Sequence, residues 1–328
     1  MIGWLRCNAH PTPEFPYRQE CAYTKPVMAG NTLINIQKLS KRYDHSPAYA
    51  LENLDMQVSA GEVYGYLGAN GAGKSTTIRL LLNFLQPTSG SATIAGLDIV
   101  RDAVKVKKHV GYLAGDVALY PKTTGRALLD YLEDLQGGIN AEYRHKLEKR
   151  FEAEVDKQIG ALSKGNRQKI GILQAFMHEP DVLILDEPTS GLDPLMQEAF
   201  YETVREARER GAAVLMSSHN LSEAQRICDR IGIIKHGKLI REQNIGDDME
   251  LGKTTFRVVL ARPDALTQLK RSQHLTFLSQ EGGNTALVQA KGRLSDALKS
   301  LSQFDIREIA TQQINLENEF IEFYGDNS

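Results

Sequence analysis

GANGAGKST, residues 68–76, is the stretch on which the reading of this chain turns. It follows the short apolar run Val63–Leu67 and precedes an apolar segment with helical spacing over about 74–85. The spacing G-x-x-x-x-G-K-[ST] is that of a phosphate-binding loop, which needs a strand before it and a helix after it. Gly68, Gly71 and Gly73 let the backbone take positive φ and pass close to a ligand with no Cβ in the way. Successive N–H groups from Ala69, Asn70 and Ala72 onward then form a concave anion nest, and the helix N-terminus adds partial positive charge. Lys74 is spaced to reach the β- and γ-phosphates of a nucleotide. The Ser75 hydroxyl is spaced to ligate Mg²⁺, and Thr76 completes the loop. A Gly-rich surface turn ahead of a helix is the plain alternative, and the strand and helix on either side speak against it.

A chain of 328 residues has room for one large domain or two ordinary ones, with ample core. Its 41% hydrophobic and 24% charged content are those of a globular protein. A formal net charge of −2 gives no global pull toward nucleic acid or an anionic membrane. No run approaches the roughly 20 apolar residues that span a bilayer, so any movement of cargo across a membrane needs a channel from another chain. Cys7, Cys21 and Cys228 have no metal-like spacing and read as ordinary thiols in a reducing compartment.

Residues 1–30 carry four prolines and no strand or helix period, which predicts an irregular tail. Met28 stands just before the first periodic segment, so translation could begin there; an intact mass that retains Trp4 would refute this. From Thr32 the pattern is strand-like: Ile34 and Ile36 alternate with polar residues, as do Leu54, Met56 and Val58. A turn is expected over 87–90 and a short strand over 92–94. Residues 104–177 read as mostly helical apart from Val110–Leu113, with apolar stripes at Leu128, Leu129, Leu132 and Leu135 and again at Ile170, Leu173, Phe176 and Met177. The charged stretch over 143–157 reads as a solvated helix face. Two unbroken apolar runs, 182–185 and 213–216, fit strands covered on both faces, as in a parallel sheet. Helices are expected over 194–210 and 221–228, and a hairpin turning at 236–238. Beyond about Gly246 the order reads β-α-β-β-α-β, the ferredoxin-like arrangement, with a final helix over 316–324.

A phosphate loop alone leaves kinases, GTPases and many ATPases open, and downstream residues narrow the choice. LILDEP places Asp186 at the end of a buried strand, where it can hold Mg²⁺ through water, with Glu187 next to it able to accept a proton from an attacking water. Then come ALSKGNRQK with Ser163 and Gly165, SGLD ending at Asp193, and SSHN with His219. In this set and order the sequence resembles the ATP-binding subunits of ABC transporters, over roughly 33–240. The resemblance implies an α/β P-loop NTPase fold with a mixed parallel sheet, an N-terminal antiparallel sheet and a helical subdomain over about 104–177. The ATPase domain would span 31–245 and a small α+β accessory domain 246–328. It also implies that Ser163 and Gly165 contact the γ-phosphate held by the opposite subunit. His219 would touch the same phosphate, Asp193 would lie at the dimer interface, and Tyr43 would stack on adenine; Tyr49, or no stacking, stays open.

Two departures stand out. The family's LSGGQ signature reads LSKGN, with Lys164 for the first Gly and Asn166 for the Gln. The phosphate-facing Ser163 and Gly165 are kept, and Lys164 adds positive charge. The family's Mg²⁺- and water-sensing Gln matches Gly115, which has no side chain; Asp116 or water could substitute. The closing phrase INLENEFIEFYG resembles export-type subunits that pair with a separately encoded permease. The resemblance thus implies ATP and Mg²⁺ as cofactors, a membrane permease and a second ATPase subunit (the same chain or a sister) as partners, and no nucleic acid. Efflux of a drug, lipid or other small molecule at the cytoplasmic face of the plasma membrane follows. The competing readings are a soluble ABC-type ATPase acting on ribosomes or DNA, and a regulatory module without turnover. Against the first, there is a single phosphate loop, and only about ninety residues separate it from the signature, too few for coiled-coil arms. Against the second stand Asp186, Glu187 and His219.

Overall fold

The computed structural model describes residues 32–44, 46–245 and 255–312. The tail expected over 1–30 and the last helix expected over 316–324 lie outside the described residues, as do Cys7 and Cys21. The chain begins with β1 (Thr32–Arg42) and β2 (Tyr49–Ser59), then β3 (Val63–Leu67), α1 (Lys74–Leu81), β4 (Ser89–Ile94) and β5 (Leu97–Asp98). Next come α2 (Ala103–His109), β6 (Val110–Leu113), α3 (Gly125–Gln136), α4 (Ala141–Arg150) and α5 (Lys164–Phe176). The ATPase half closes with β7 (Val182–Asp186), α6 (Pro194–Glu209), β8 (Ala213–Ser218), α7 (Leu221–Ile227), β9 (Arg230–Lys235) and β10 (Lys238–Asn244).

The central sheet has the order β10-β9-β3-β8-β7-β6, parallel except for the β10 edge. Its inner strands β3, β7 and β8 are apolar up to the polar groups at the ends of β7 and β8, because both of their faces are covered. Val63 and Leu67 of β3, Leu183 and Leu185 of β7, and Val214 and Met216 of β8 enter a core shared with α3 to α7. The alternate residues Tyr64, Tyr66, Val182, Ile184, Ala213 and Leu215 face the opposite way, into a core shared with α1 and a second sheet, β2-β1-β4-β5. In that sheet Ile34 pairs with Val58 and Ile94, and Ile36 with Met56 and Ala92, as the alternation predicts.

The 236–238 hairpin turns on His236 and Gly237, both at positive φ, the pairing that a two-residue turn between twisted strands requires. The first helix stops at Leu81, short of the expected 85, because Asn83 takes a left-handed φ of 55°. The turn expected over 87–90 is shorter, since Ser89 and Gly90 already belong to β4. The stripe on α3 also departs from expectation: Leu128 and Leu129 are buried, but Leu135 lies beside the Gly137 helix stop and is exposed.

The charged stretch over 143–157 is a solvated face only in part: His145, Lys146, Lys149, Glu152, Asp156 and Lys157 are exposed, but its other side is packed. Tyr143, Leu147 and Phe151 are core residues, and Arg144, only 8% exposed, is bound by Asp130 and Glu133, each at 2.6 Å, and by Glu148 at 3.0 Å. Arg150 reaches across to α6, donating to Glu206 at 2.6 Å and to Thr203 at 2.9 Å, and Lys146 joins the same carboxylate. Charges that periodicity assigns to water thus tie the helical layer to the ATPase core.

The last part follows the β-α-β-β-α-β order: β11 (Thr255–Leu260), a short helix Ala265–Leu269, β12 (Leu275–Gln280), β13 (Thr285–Ala290), helix Leu294–Leu301 and β14 (Ile306–Gln312). Its antiparallel sheet runs β12-β13-β11-β14, the ferredoxin-like arrangement, over its own core of Phe256, Val258, Leu260, Leu269, Val288 and Leu301.

Candidate active site

Three neighbouring strands end together and each delivers part of the site. The phosphate loop leaves the C-terminal end of β3, Asp186 ends β7, and Ser217 and Ser218 end β8 just before His219. Parallel strands with covered faces leave this edge as the place where polar groups can gather. The Gly68 N–H donates to the Ser218 carbonyl at 3.3 Å, which fastens the loop to the histidine strand. Gly73 precedes α1 at φ 118°, and a Cβ there would lie 2.8 Å from the Ala50 carbonyl oxygen, so no other residue fits.

Lys74, 5% exposed, donates to the carbonyls of Gly68 at 2.6 Å and Ala69 at 3.3 Å. Its Nζ lies 3.9 Å from Glu187 Oε1. Burial pulls the Lys74 pKa below its usual value, while Glu187 and Asp186 oppose that shift. Ser75 Oγ donates to Asp186 Oδ2 at 3.3 Å, and Ser217 Oγ to Asp186 Oδ1 at 2.5 Å. His219 Nδ1 stands 3.1 Å from Glu187 Oε1. Tyr43 is exposed, and its hydroxyl meets Thr76 Oγ1 at 3.4 Å, beside the loop. Tyr49 lies under Arg42 instead.

The signature residues are not part of this gathering. Ser163 caps α5 by accepting the Asn166 N–H at 3.2 Å, and the Asn166 amide donates to Glu154 at 3.0 Å. Lys164 Nζ donates to Ser190 Oγ at 3.3 Å, and a Cβ at Gly165 would lie 2.9 Å from the Gly191 carbonyl oxygen. Among the described residues none of these four bonds to the phosphate loop. Asp193 caps α6 by accepting the Met196 N–H at 3.0 Å.

A model of the family described as ABC transporter matches residues 51–190. An ABC transporter ATP-binding protein of Bacillus subtilis, YhcH, is 34% identical over 84% of this chain and 91% of its own length. The chain belongs to the ABC transporter ATP-binding proteins. The bacitracin transport ATP-binding protein BcrA of Bacillus licheniformis is 29% identical over 90% of this chain and 98% of its own. A solved ATP-binding subunit of an ABC transporter superposes with a TM-score of 0.62 at 32% identity, covering 66% of this chain and 91% of that one.

The protein is therefore the ATP-hydrolysing subunit of an ABC transporter, and the ribosome- or DNA-directed reading falls away. No helix among its described residues is long and apolar enough to cross a membrane. Gly115, the position matched in the sequence to the family's sensing Gln, lies beside the site: a Cβ there would stand 3.3 Å from the Asp186 carbonyl oxygen and 3.7 Å from Oδ2. Asp116 is exposed, and its carbonyl accepts the Ala118 N–H. Sequence reasoning missed Ser217, which binds Asp186 through its hydroxyl and the Glu187 N–H through both of its oxygens. Two serines closing an apolar strand just before the histidine were the signal.

Proposed function

We propose that this ATPase powers efflux of a drug, lipid or other small molecule through a separately encoded permease. It would do so as a homodimer or heterodimer at the cytoplasmic face of the membrane. In this reading residues 31–245 are the ATPase domain and 246–328 an accessory domain. Kinship with a bacitracin transport subunit over nearly the full length of both chains supports a drug-like cargo.

The observation that carries the two-subunit reading is the separation of the signature from the loop. Lys74, Glu187 and His219 converge, while Ser163 and Lys164 point their exposed side chains elsewhere. Neither half surrounds a γ-phosphate alone. ATP bound to the loop of one subunit would be closed over by Ser163 and Gly165 of the other. Within one subunit the loop amides and Lys74 hold the phosphates, and Tyr43 lies beside Thr76, where adenine can stack. Glu187 takes the proton of the attacking water, with His219 beside it. Ser75 Oγ and Asp186 Oδ2, 3.3 Å apart, are the hard-oxygen pair that suits Mg²⁺, which would neutralise phosphate charge there. Loss of the γ-phosphate then removes what joins the subunits, a ligand-driven population shift.

The test is a cysteine pair at Ser163 and Asn70, in a chain with Cys7 and Cys21 replaced by Ser. With ATP trapped by Glu187→Gln, the two should cross-link between subunits. If they never meet while ATP is bound, a self-contained hydrolase must replace the scheme.

A further inference from the structure

Glu187 sits on strained backbone. Its φ is 46°, a left-handed conformation that a residue with a side chain keeps only where its surroundings over-determine it. The Glu187 N–H is held by the carbonyl and hydroxyl oxygens of Ser217, each at 3.2 Å. One residue on, the Pro188 carbonyl accepts from Gln168 Nε2 at 2.8 Å. At the next residue, Thr189 Oγ1 donates to Glu223 Oε1 at 2.7 Å. The other oxygen of Glu223 accepts from Ser218 Oγ at 2.6 Å, and Ser218 immediately precedes His219. The turn closes with the Ser190 N–H donating to the Glu187 carbonyl at 3.2 Å.

Gln168 and Glu223 are 2% and 9% exposed, and the hydrolysis described above uses neither. Burying an amide and a carboxylate is costly unless their hydrogen bonds are made, and here both are spent on one turn. The helices that carry them matter too. Gln168 lies on α5, whose first turn holds the signature, and Glu223 lies on α7, which begins two residues after His219. The turn under Glu187 is thus gripped from both sides.

We propose that Gln168 and Glu223 are positioning residues for ATP hydrolysis, clamping the turn over 187–190 so that the Glu187 carboxylate is aimed beside Lys74 and His219. Because Gln168 rides on the signature helix, the position of that helix sets the aim of the base in its own subunit. This rests on Glu187 being the base. A sub-ångström shift of α5 on closing over the partner's nucleotide reaches Pro188 through one hydrogen bond. Misplacing a reacting group by about 1 Å costs about 100-fold in rate.

The experiment measures ATP turnover of the full chain in Gln168→Leu, Glu223→Leu and Glu223→Gln. The last variant keeps both contacts, since Gln can accept from one hydroxyl and donate to the other. Both Leu variants should lose about 10- to 100-fold in kcat with KM for ATP within about threefold, and Glu223→Gln should recover to within about threefold of the parent. In a Glu187→Gln background Gln168→Leu should cause no further loss, because the two act as one unit. Turnover per folded molecule within twofold of the parent in either Leu variant overturns the clamp. So does a parallel loss of kcat, ATP affinity and melting temperature, which is the mark of a merely structural role. Normal turnover in Glu187→Gln alone would remove the base assignment and the clamp together, whereas an inactive Glu187→Gln with an unaffected Gln168→Leu removes only the clamp.

Discussion

Replacing Glu187 by Gln keeps the side chain's shape and removes one negative charge, which separates binding from chemistry. The lost charge has two neighbours, Lys74 Nζ at 3.9 Å and His219 Nδ1 at 3.1 Å. Two unit charges about 4 Å apart attract by about 4 kcal/mol at an effective dielectric of 20. Glu187 is 29% exposed and the Lys74 pair is long, so the net worth is closer to about 1 kcal/mol. That attraction competes with an incoming phosphate for Lys74, and removing it should tighten ATP binding about fivefold. Burial holds the Lys74 pKa down and Glu187 props it up, so the variant's lysine loses its proton at lower pH and the gain in affinity shrinks as pH rises. The chemical step moves the other way, slowing by about 10²- to 10⁴-fold as a general base is lost. Single-turnover hydrolysis of labelled ATP, fluorescent-nucleotide competition and size-exclusion of the ATP-bound form read the three effects, with a trapped dimer expected in the last. Hydrolysis within tenfold of the parent, or ATP bound tenfold more weakly, refutes the assignment.

Gly111 lies where β6 meets α5, and a Cβ there would stand 2.0 Å from the Ala175 carbonyl oxygen. Gly111→Ala should therefore cost about 3 kcal/mol, read as a lowered denaturation midpoint. A hydrogen bond from Arg150, supported by Lys146, holds the Glu206 carboxyl below its usual range. Its stabilising contribution is then complete above the unfolded pKa, about 4.3, and fades as pH falls through the native value. Glu206→Gln should accordingly lower the urea midpoint at pH 7, and the gap to the parent should close below about pH 4. Asp116→Ala should leave Mg²⁺-dependent turnover within about twofold of the parent, since the side chain is exposed; a larger loss in a phosphate-release assay would make Asp116 the stand-in for the absent Gln.

Period and punctuation made the catalytic core readable. Apolar runs with no alternation marked β3, β7 and β8 as covered on both faces, and the groups at their ends then had to share one edge of the sheet. The C-terminal strand order followed from the same signals. What stayed hidden depends on tertiary contact. Arg144 and Arg150 look like solvent residues until the carboxylates of α3 and α6 are set opposite them. Gln168 shows no local sign of its task, because Pro188 approaches it only in the folded chain. Ser217 was visible as a residue and invisible as a ligand, since its partners come from the neighbouring strand. Helix ends were missed where one residue, Asn83, adopts a conformation that composition does not dictate.

The bonds from Arg150 and Lys146 to Glu206 acquire a mechanical meaning from where α6 begins. That helix is 16 residues, about 24 Å, of stiff rod. Near its far end it is riveted to α4, and at its near end it starts on Asp193. A load applied to the outer helices would tilt this rod, and the tilt would be delivered at its first residues, which follow the turn after Glu187.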